Sequence, residues 1–423
     1  MYSHAFSFLF VAFLTLTLVV RFWLASRHIR HVLQNRAAVP ADFAEKIPLA
    51  AHQKAADYTI ARTKLGLLNM MVSSIALICF TLLGGLQWLS TSLFNATGGG
   101  MTYQLALIVA FSVVSGLIDL PLDYYRQFTL EERFGFNKMS KRLFFFDLVK
   151  GVGVAAVIGL PLVWVILVLM EKTGSLWWLY AWFVWCGFQL LVMALYPNLI
   201  APLFNKFTPL ADESLKQRIE GLMARVGFAS KGLFVMDGSK RSAHGNAYFS
   251  GFGAAKRIVF YDTLVSSLSP QEVEAVLAHE LGHFKLKHIV KRIVVMFGLS
   301  LGFLALLGYL KGQLWFYTGL GVNPIIVPGQ SNDALALLLF MLVLPVFTFL
   351  FGPLMSLSSR KHEFEADAFA ARHTDARDLV SALVKMYEDN ASTLTPDPLH
   401  SAFYDSHPPA SVRIRQLNLA ASQ

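Results

Sequence analysis

Apolar residues fall along this chain in blocks of bilayer length, separated by polar stretches with a different periodicity. Seven runs reach or approach the roughly 20 apolar residues that a helix needs to cross a bilayer. They lie at about Ala5 to Leu24, Leu67 to Leu89, Leu105 to Leu122, Val152 to Met170, Leu176 to Leu195, Ile289 to Leu310 and Ala334 to Phe351. The first has no basic residue ahead of it and no small-x-small cleavage site, so it reads as an anchor and not a removed leader. Arg21, near its end, can snorkel toward the interface.

Between the fifth and sixth runs the pattern shortens. Asp212 opens an amphipathic helix with Leu215, Ile219, Leu222, Met223 and Val226 on one face. Gly232 to Asp237 and Arg257 to Tyr261 read as strands. Asn246-Ala247-Tyr248-Phe249, bracketed by Gly245 and Gly251, reads as a short edge strand between them. Ser269-Pro270-Gln271-Glu272 is a helix start, with Ser at N-cap, Pro at N1 and Glu at N3. After the seventh run come an acidic helix around Glu363 and an amphipathic one from Leu379 to Tyr387, and then a Pro-punctuated stretch, Thr393 to Pro409, expected to wrap over the site. The expected fold class is mainly α: a polytopic membrane protein with about seven transmembrane helices and a small α+β domain. Its segments are 1–195 with five spans, 196–288 with the first catalytic segment, 289–352 with two spans, and 353–423 with the second catalytic segment.

Composition narrows the class further. Of 423 residues, 55% are hydrophobic and only 15% charged, with mean hydropathy +0.52, which excludes an ordinary soluble globular protein. The net charge of +9 is unevenly placed. Arg27, Arg30, Arg36, Lys46, Lys54, Arg62 and Lys64 follow the start of the first run, whereas Ser90 to Gly100 carries no basic residue. The positive-inside rule then makes the first connection cytoplasmic. Alternation puts both catalytic segments on that same side. The bilayer accounts for the basic excess, and no interleaved basic and aromatic pattern points to nucleic acid. Cys79 and Cys186 both fall in apolar runs and read as packed small residues.

Chemistry enters at His279-Glu280-Leu281-Gly282-His283. On a helix, residues four apart share a face, so both imidazoles can point at one ion. Glu280 projects beside them, where it can take a proton from an attacking water and return it to a leaving amine. This is the metalloprotease reading of the pentapeptide. A catalytic zinc wants three protein ligands and an open position. About eighty residues downstream, Glu363 and Asp367 share one face of a helix, Glu365 points roughly opposite and His362 is turned about 100° away. Glu363 is the preferred third ligand, with Asp367 orienting His279 or donating a proton. His288, read as lying on the same helix as His283 and turned about 140° from it, is expected at the membrane interface.

These residues resemble the type I CAAX prenyl endopeptidases, integral-membrane zinc proteases of the gluzincin type. The likeness is carried by His279 to His283 with Glu363-Phe364-Glu365-Ala366-Asp367. It extends through Phe128 to Asn137, Tyr196 to Pro209, Ser239 to Phe249, and Ser406-His407-Pro408-Pro409 with Arg413, nearly the whole chain. The resemblance implies one zinc per chain on His279, His283 and Glu363, with Glu280 as general base and Asp367 in support. It implies that Asn246 and Ala247 pair with the backbone of an extended peptide substrate. It also implies that His407 and Arg413 face the cleft, to stabilise an oxyanion or orient neighbours, and that the spans enclose a large chamber.

Two alternatives stay open: a membrane-protein quality-control protease without prenyl preference, and a transporter or scaffold whose metal site is structural. The tail Asn418 to Gln423 carries no endoplasmic-reticulum retrieval signal, which points to a bacterial inner membrane with the site toward the cytoplasm, or to the endoplasmic reticulum if the source is eukaryotic.

Overall fold

Helices longer than a bilayer dominate the computed structural model, which describes residues 1–250 and 256–421. Gly251 and the terminal Ser422-Gln423 lie outside the described residues. Seven described helices have the length and hydropathy to cross a membrane: Tyr2–Gln34, Leu49–Phe80, Gly100–Glu131, Lys141–Lys172, Gly174–Phe204, His288–Leu310 and Asp333–His373. A helix of about 32 residues is roughly 48 Å long, well beyond a hydrocarbon core of about 30 Å, so these spans project past the bilayer.

Two boundaries differ from the sequence expectation. The run Leu67 to Leu89 is not one span: the helix that begins at Leu49 ends at Phe80, and a second helix, Gly85–Thr97, follows a turn. Gly84 makes that turn with φ +77°, and a Cβ on Gly85 would meet the Cys79 carbonyl oxygen at 2.6 Å. The last span does not stop near Phe351 either. One 3-10 turn, Phe349–Phe351, carries it into the acidic helix Gly352–His373, so Glu363 rides on the extension of a membrane helix.

The connections gather at two ends. At one, Ser3 meets Thr318 at 2.7 Å and the Gly100 amide donates to Gln330 at 2.6 Å. At the other, Phe43 and Ile47 of the first connection pack into the same core as Leu215, Ile258, Val273 and Leu379. The Lys138 amide there donates to the Arg241 carbonyl at 3.1 Å.

That second end holds a four-stranded sheet of β1 (Phe207–Pro209), β2 (Leu233–Met236), β3 (Ala247–Ser250) and β4 (Arg257–Tyr261), in the order β1-β2-β4-β3. β2 and β4 run parallel and the other pairs antiparallel, leaving β3 at an edge. The zinc-motif helix Pro270–Lys285 starts with the expected capping box. Its Glu272 also accepts from Ser381 at 2.7 Å and Lys385 at 2.8 Å, and its Glu274 from Arg218 and Arg225 at 2.7 Å each. Ionic braces thus hold this helix to the amphipathic helices Ala376–Asp389 and Glu213–Arg225. Between these braces its apolar residues, Val273 and Ala275 to Ala278, are buried.

His288 is not on the helix of His283. Lys287 takes a left-handed conformation, φ +59°, and ends the motif helix, so His288 begins the sixth span. It is buried. The stretch Thr393 to Pro409 is not extended throughout, since it contains the helix Pro398–Tyr404, capped by Asp397. Arg27 pins that cap at 2.8 Å, and Arg360 bonds to the Ser401 and Asp405 carbonyls.

Gly282 lets the motif helix and the acidic helix approach closely. A Cβ there would meet the Ala366 Cα at 3.0 Å and the Phe369 Cβ at 3.1 Å, both on the acidic helix. Gly282→Val is expected to force the two helices apart at a cost of about 1–3 kcal/mol or more and to lower zinc content, with Gly282→Ala milder. Metal analysis and thermal unfolding of the purified variants check this; zinc content and stability unchanged in Gly282→Val would contradict it.

Candidate active site

Donor groups of three residues on two helices converge on one point. Nε2 of His279 lies 3.2 Å from Nε2 of His283, Glu363 Oε2 lies 3.5 Å from the first, and Glu363 Oε1 lies 3.3 Å from the second. For bonds of about 2.0–2.1 Å in tetrahedral geometry, ligand atoms stand roughly 3.3–3.4 Å apart, so the donor set has the spacing that zinc requires. Glu363 Oε2 is buried and has no hydrogen-bond partner among the described residues. An orphaned carboxylate oxygen against two imidazole nitrogens is an electron-rich pocket that a cation satisfies. These residues fit the metal.

Each group has a reason to sit where it does. His279 and His283 are one helical turn apart, and Glu363 is brought alongside by the Gly282 crossing. His279 turns its Nδ1 to Asp367 Oδ1 at 2.8 Å. Asp367 is gripped from its other side by Arg413, Nε to Oδ2 at 2.9 Å and Nη2 to Oδ1 at 2.7 Å. Arg413 is itself buried and lies 3.7 Å from Glu363 Oε2. Burial alone would favour a neutral guanidine, but the Asp367 pair outweighs it and holds the charge more firmly than usual. For the metal-free His279 ring, burial pulls the pKa down while bonds to Asp367 and Glu363 pull harder, raising it to about 9.

His407 stands over the cluster, Nε2 at 3.5 Å from Glu363 Oε1, on an exposed side chain. Enclosure by the surrounding chain, together with Arg413 and the two motif histidines, lowers its pKa against the pull of Glu363. Glu280 lines a cavity of about 880 Å³ together with His279, Asn246, His407 and Arg413. Desolvation raises its carboxyl pKa, opposed by His279 and His283.

The cavity runs from this cluster along the first two spans, past Arg21, His28, Arg62 and Met70. Arg21 does not snorkel. It faces the cavity over the Phe349 ring at 4.4 Å, with Nε buried and unpartnered among the described residues. A charge within a span was the available sign of an inward-facing position. His400 also lines the cavity, stacked on His28 at 4.0 Å, while His244 stacks on Phe136 at 4.3 Å.

Asn246 and Ala247 sit where the edge-strand expectation puts them. The Tyr261 amide donates to the Asn246 carbonyl at 2.9 Å, and Ala247 pairs with Phe260. Antiparallel alternation therefore turns the Ala247 amide and carbonyl toward the open edge. That amide is covered by the Asn246 side-chain Oδ1 at 2.8 Å. One feature escaped the sequence reading: His283 Nδ1 lies 3.1 Å from His288 Nδ1, and His288 Nε2 lies 2.8 Å from Glu365 Oε2.

Comparisons with known proteins agree with this geometry. Residues 28–206 match the family described as CAAX prenyl protease N-terminal, five membrane helices, and residues 209–421 match peptidase family M48. CAAX prenyl protease 1 of Saccharomyces cerevisiae is 34% identical over 413 residues, spanning 92% of this chain and 90% of that protein. The CAAX prenyl protease 1 homolog of Arabidopsis thaliana is 39% identical over 321 residues, 75% of this chain and 73% of that one. The crystal structure of S. mikatae Ste24p superposes with a TM-score of 0.89 at 33% identity, covering 97% of this chain and 98% of that one. With both halves matched, the chain belongs to peptidase family M48 alongside the CAAX prenyl protease 1 proteins, and is a membrane zinc metalloendopeptidase.

Proposed function

We propose that the protein holds one zinc on His279, His283 and Glu363 and cleaves peptides that lie extended along β3, at the cytoplasmic face of its membrane. The observation that carries this reading is the meeting of donor atoms from His279, His283 and Glu363 at 3.2–3.5 Å, beside a cavity that His279 and Glu280 line. When bound, zinc supplies a Lewis acid that polarises the scissile carbonyl and acidifies a water.

The protein's own groups do the rest. Glu280 takes the proton of the attacking water and delivers it to the leaving amine, so that one carboxyl serves as base and then as acid. Asp367, with both oxygens engaged by His279 and Arg413, orients the ligand ring and is not a proton donor. Arg413 fixes Asp367 and balances buried negative charge. His407, neutral-leaning and open to the cavity, is placed to donate to a carbonyl oxygen as negative charge develops on it. A substrate strand displaces the Asn246 side chain from the Ala247 amide and pairs with the edge of β3. The names of the relatives support a CAAX-type prenylated peptide as substrate, and the apolar chamber wall around Leu67 and Met70 suits a lipid-bearing chain.

Four measurements check this account. Metal analysis is expected to return one zinc per chain, and a strong chelator to abolish peptidase activity. Glu280→Gln keeps the zinc but loses turnover by about three or more orders of magnitude, because base and metal act as a unit. Retained activity in that variant would move the base elsewhere. Ala247→Pro removes an outward amide and leaves the β4 ladder intact, so zinc content and thermal stability persist while turnover falls by about tenfold or more. Cleavage at the parent rate would mean that substrate is held elsewhere. Reporters fused after Gly99 are expected to behave as external, and those after Arg36, Lys141 or Gln423 as cytoplasmic. An external carboxyl terminus would overturn the orientation.

A further inference from the structure

His283 has a second ring nitrogen, and its partner lies outside the metal centre. Nδ1 faces Nδ1 of the buried His288 at 3.1 Å, and Nε2 of His288 faces Oε2 of Glu365 at 2.8 Å. Counting protons sets the direction of this chain. A nitrogen that ligates an ion carries no proton, so a neutral His283 offering Nε2 must carry its one proton on Nδ1. His288 Nδ1 is then the acceptor, and its own proton sits on Nε2, aimed at the carboxylate. Every donor meets an acceptor and neither ring is charged. The reverse direction would put the His283 proton on Nε2, facing His279 and Glu363, and close the site to a metal.

We infer that His288 and Glu365 are positioning residues for the zinc site, holding His283 in its ligand tautomer as Asp367 holds His279. The inference rests on the metalloendopeptidase reading above. One helix, Gly352–His373, then supplies the ligand Glu363 and both outer carboxylates, Glu365 and Asp367. The left-handed Lys287 gives the relay its geometry, because only a break there turns the next residue back onto His283.

A different use of these groups must be weighed. His288, His362 and Glu365 offer ligand atoms within 4.8 Å of one another, a second candidate metal cluster. The His288 and His362 rings, however, are stacked 4.1 Å apart at 12°. The in-plane lone pairs of parallel rings run side by side and do not converge on one ion, and the His288 nitrogens already have partners. The relay fits the observed rings without rotation; an ion does not.

The test is zinc affinity of the full-length purified protein, measured by chelator competition, with the visible spectrum of the cobalt-substituted protein as a second readout. His288→Leu is expected to weaken zinc binding tenfold to a hundredfold and to shift the cobalt spectrum. His288→Gln, whose amide oxygen accepts and whose NH₂ donates, is expected to restore affinity to within about threefold of the parent and Glu365→Ala to fall between the two. Should His288→Leu fail to fold, Glu365→Ala against its parent carries the test, since that side chain is only half-buried. Parent-like affinity in the variants that remove the relay would overturn the inference. So would equal weakness of the Leu and Gln variants, which would indicate packing, or a second zinc equivalent in the parent that His288→Leu loses. A parent that binds no zinc would overturn the functional reading itself.

Discussion

Gly282 allows the motif helix and the acidic helix to cross with almost no side chain between them, and the proposed metal centre depends on that crossing. His279 and His283 lie about eighty residues from Glu363, with two membrane spans between them in the sequence. Their donor atoms nonetheless meet at 3.2–3.5 Å. Both helices are tied to the membrane. The acidic helix continues the seventh span, and the motif helix turns at Lys287 directly into the sixth. Tilting either span would move a ligand, so the bilayer-spanning rods and the site form one mechanical unit.

Burying so many ionisable groups costs more than any one pair recovers unless partners are arranged in full. The ionic braces on Glu272 and Glu274 sit at the far end of the motif helix, where buried carboxylates meet the half-exposed Lys385, Arg218 and Arg225 and fix its direction. At the proposed metal site, Glu363 and Asp367 instead face a buried cation, Arg413. Asp367 takes its Nε and Nη2, and Nη1 stops 3.7 Å from a Glu363 oxygen that has no hydrogen-bond partner among the described residues. In the proposed site this deficit of positive charge is the binding determinant. A dication there would offset the repulsion between the two segments and so couple metal binding to the docking of the acidic helix.

Much of this was legible in sequence, and the failures have physical causes. The motif histidines were readable because their relation is local, one helical turn, and the capping box at Ser269 and Glu272 announced the helix that carries them. Charge bias put the basic first connection on the same side as the catalytic segments, and its Phe43 and Ile47 do join the catalytic core. The second span was misplaced because hydropathy registers composition and not backbone breaks. The polar Thr59, Arg62 and Thr63, which line the cavity, diluted its true beginning, and Gly84-Gly85 interrupted its supposed end. His288 was misread because the left-handed turn falls on a lysine. Glycine or asparagine would have marked it, and a lysine marks nothing. Arg21 was assigned to the interface because position alone does not tell a chamber from a headgroup layer.

X-ray absorption at the zinc edge of the protein as purified tests the central claim most directly, because it counts the atoms around the ion without reference to activity. The account predicts two imidazole nitrogens and carboxylate oxygen at about 2.0–2.2 Å, plus one further light atom from solvent at the open position. Two imidazole contributions should fall to one in His283→Ala. A closed shell of four protein ligands, or any sulfur contribution at about 2.3 Å, would contradict it and return the metal to a structural role.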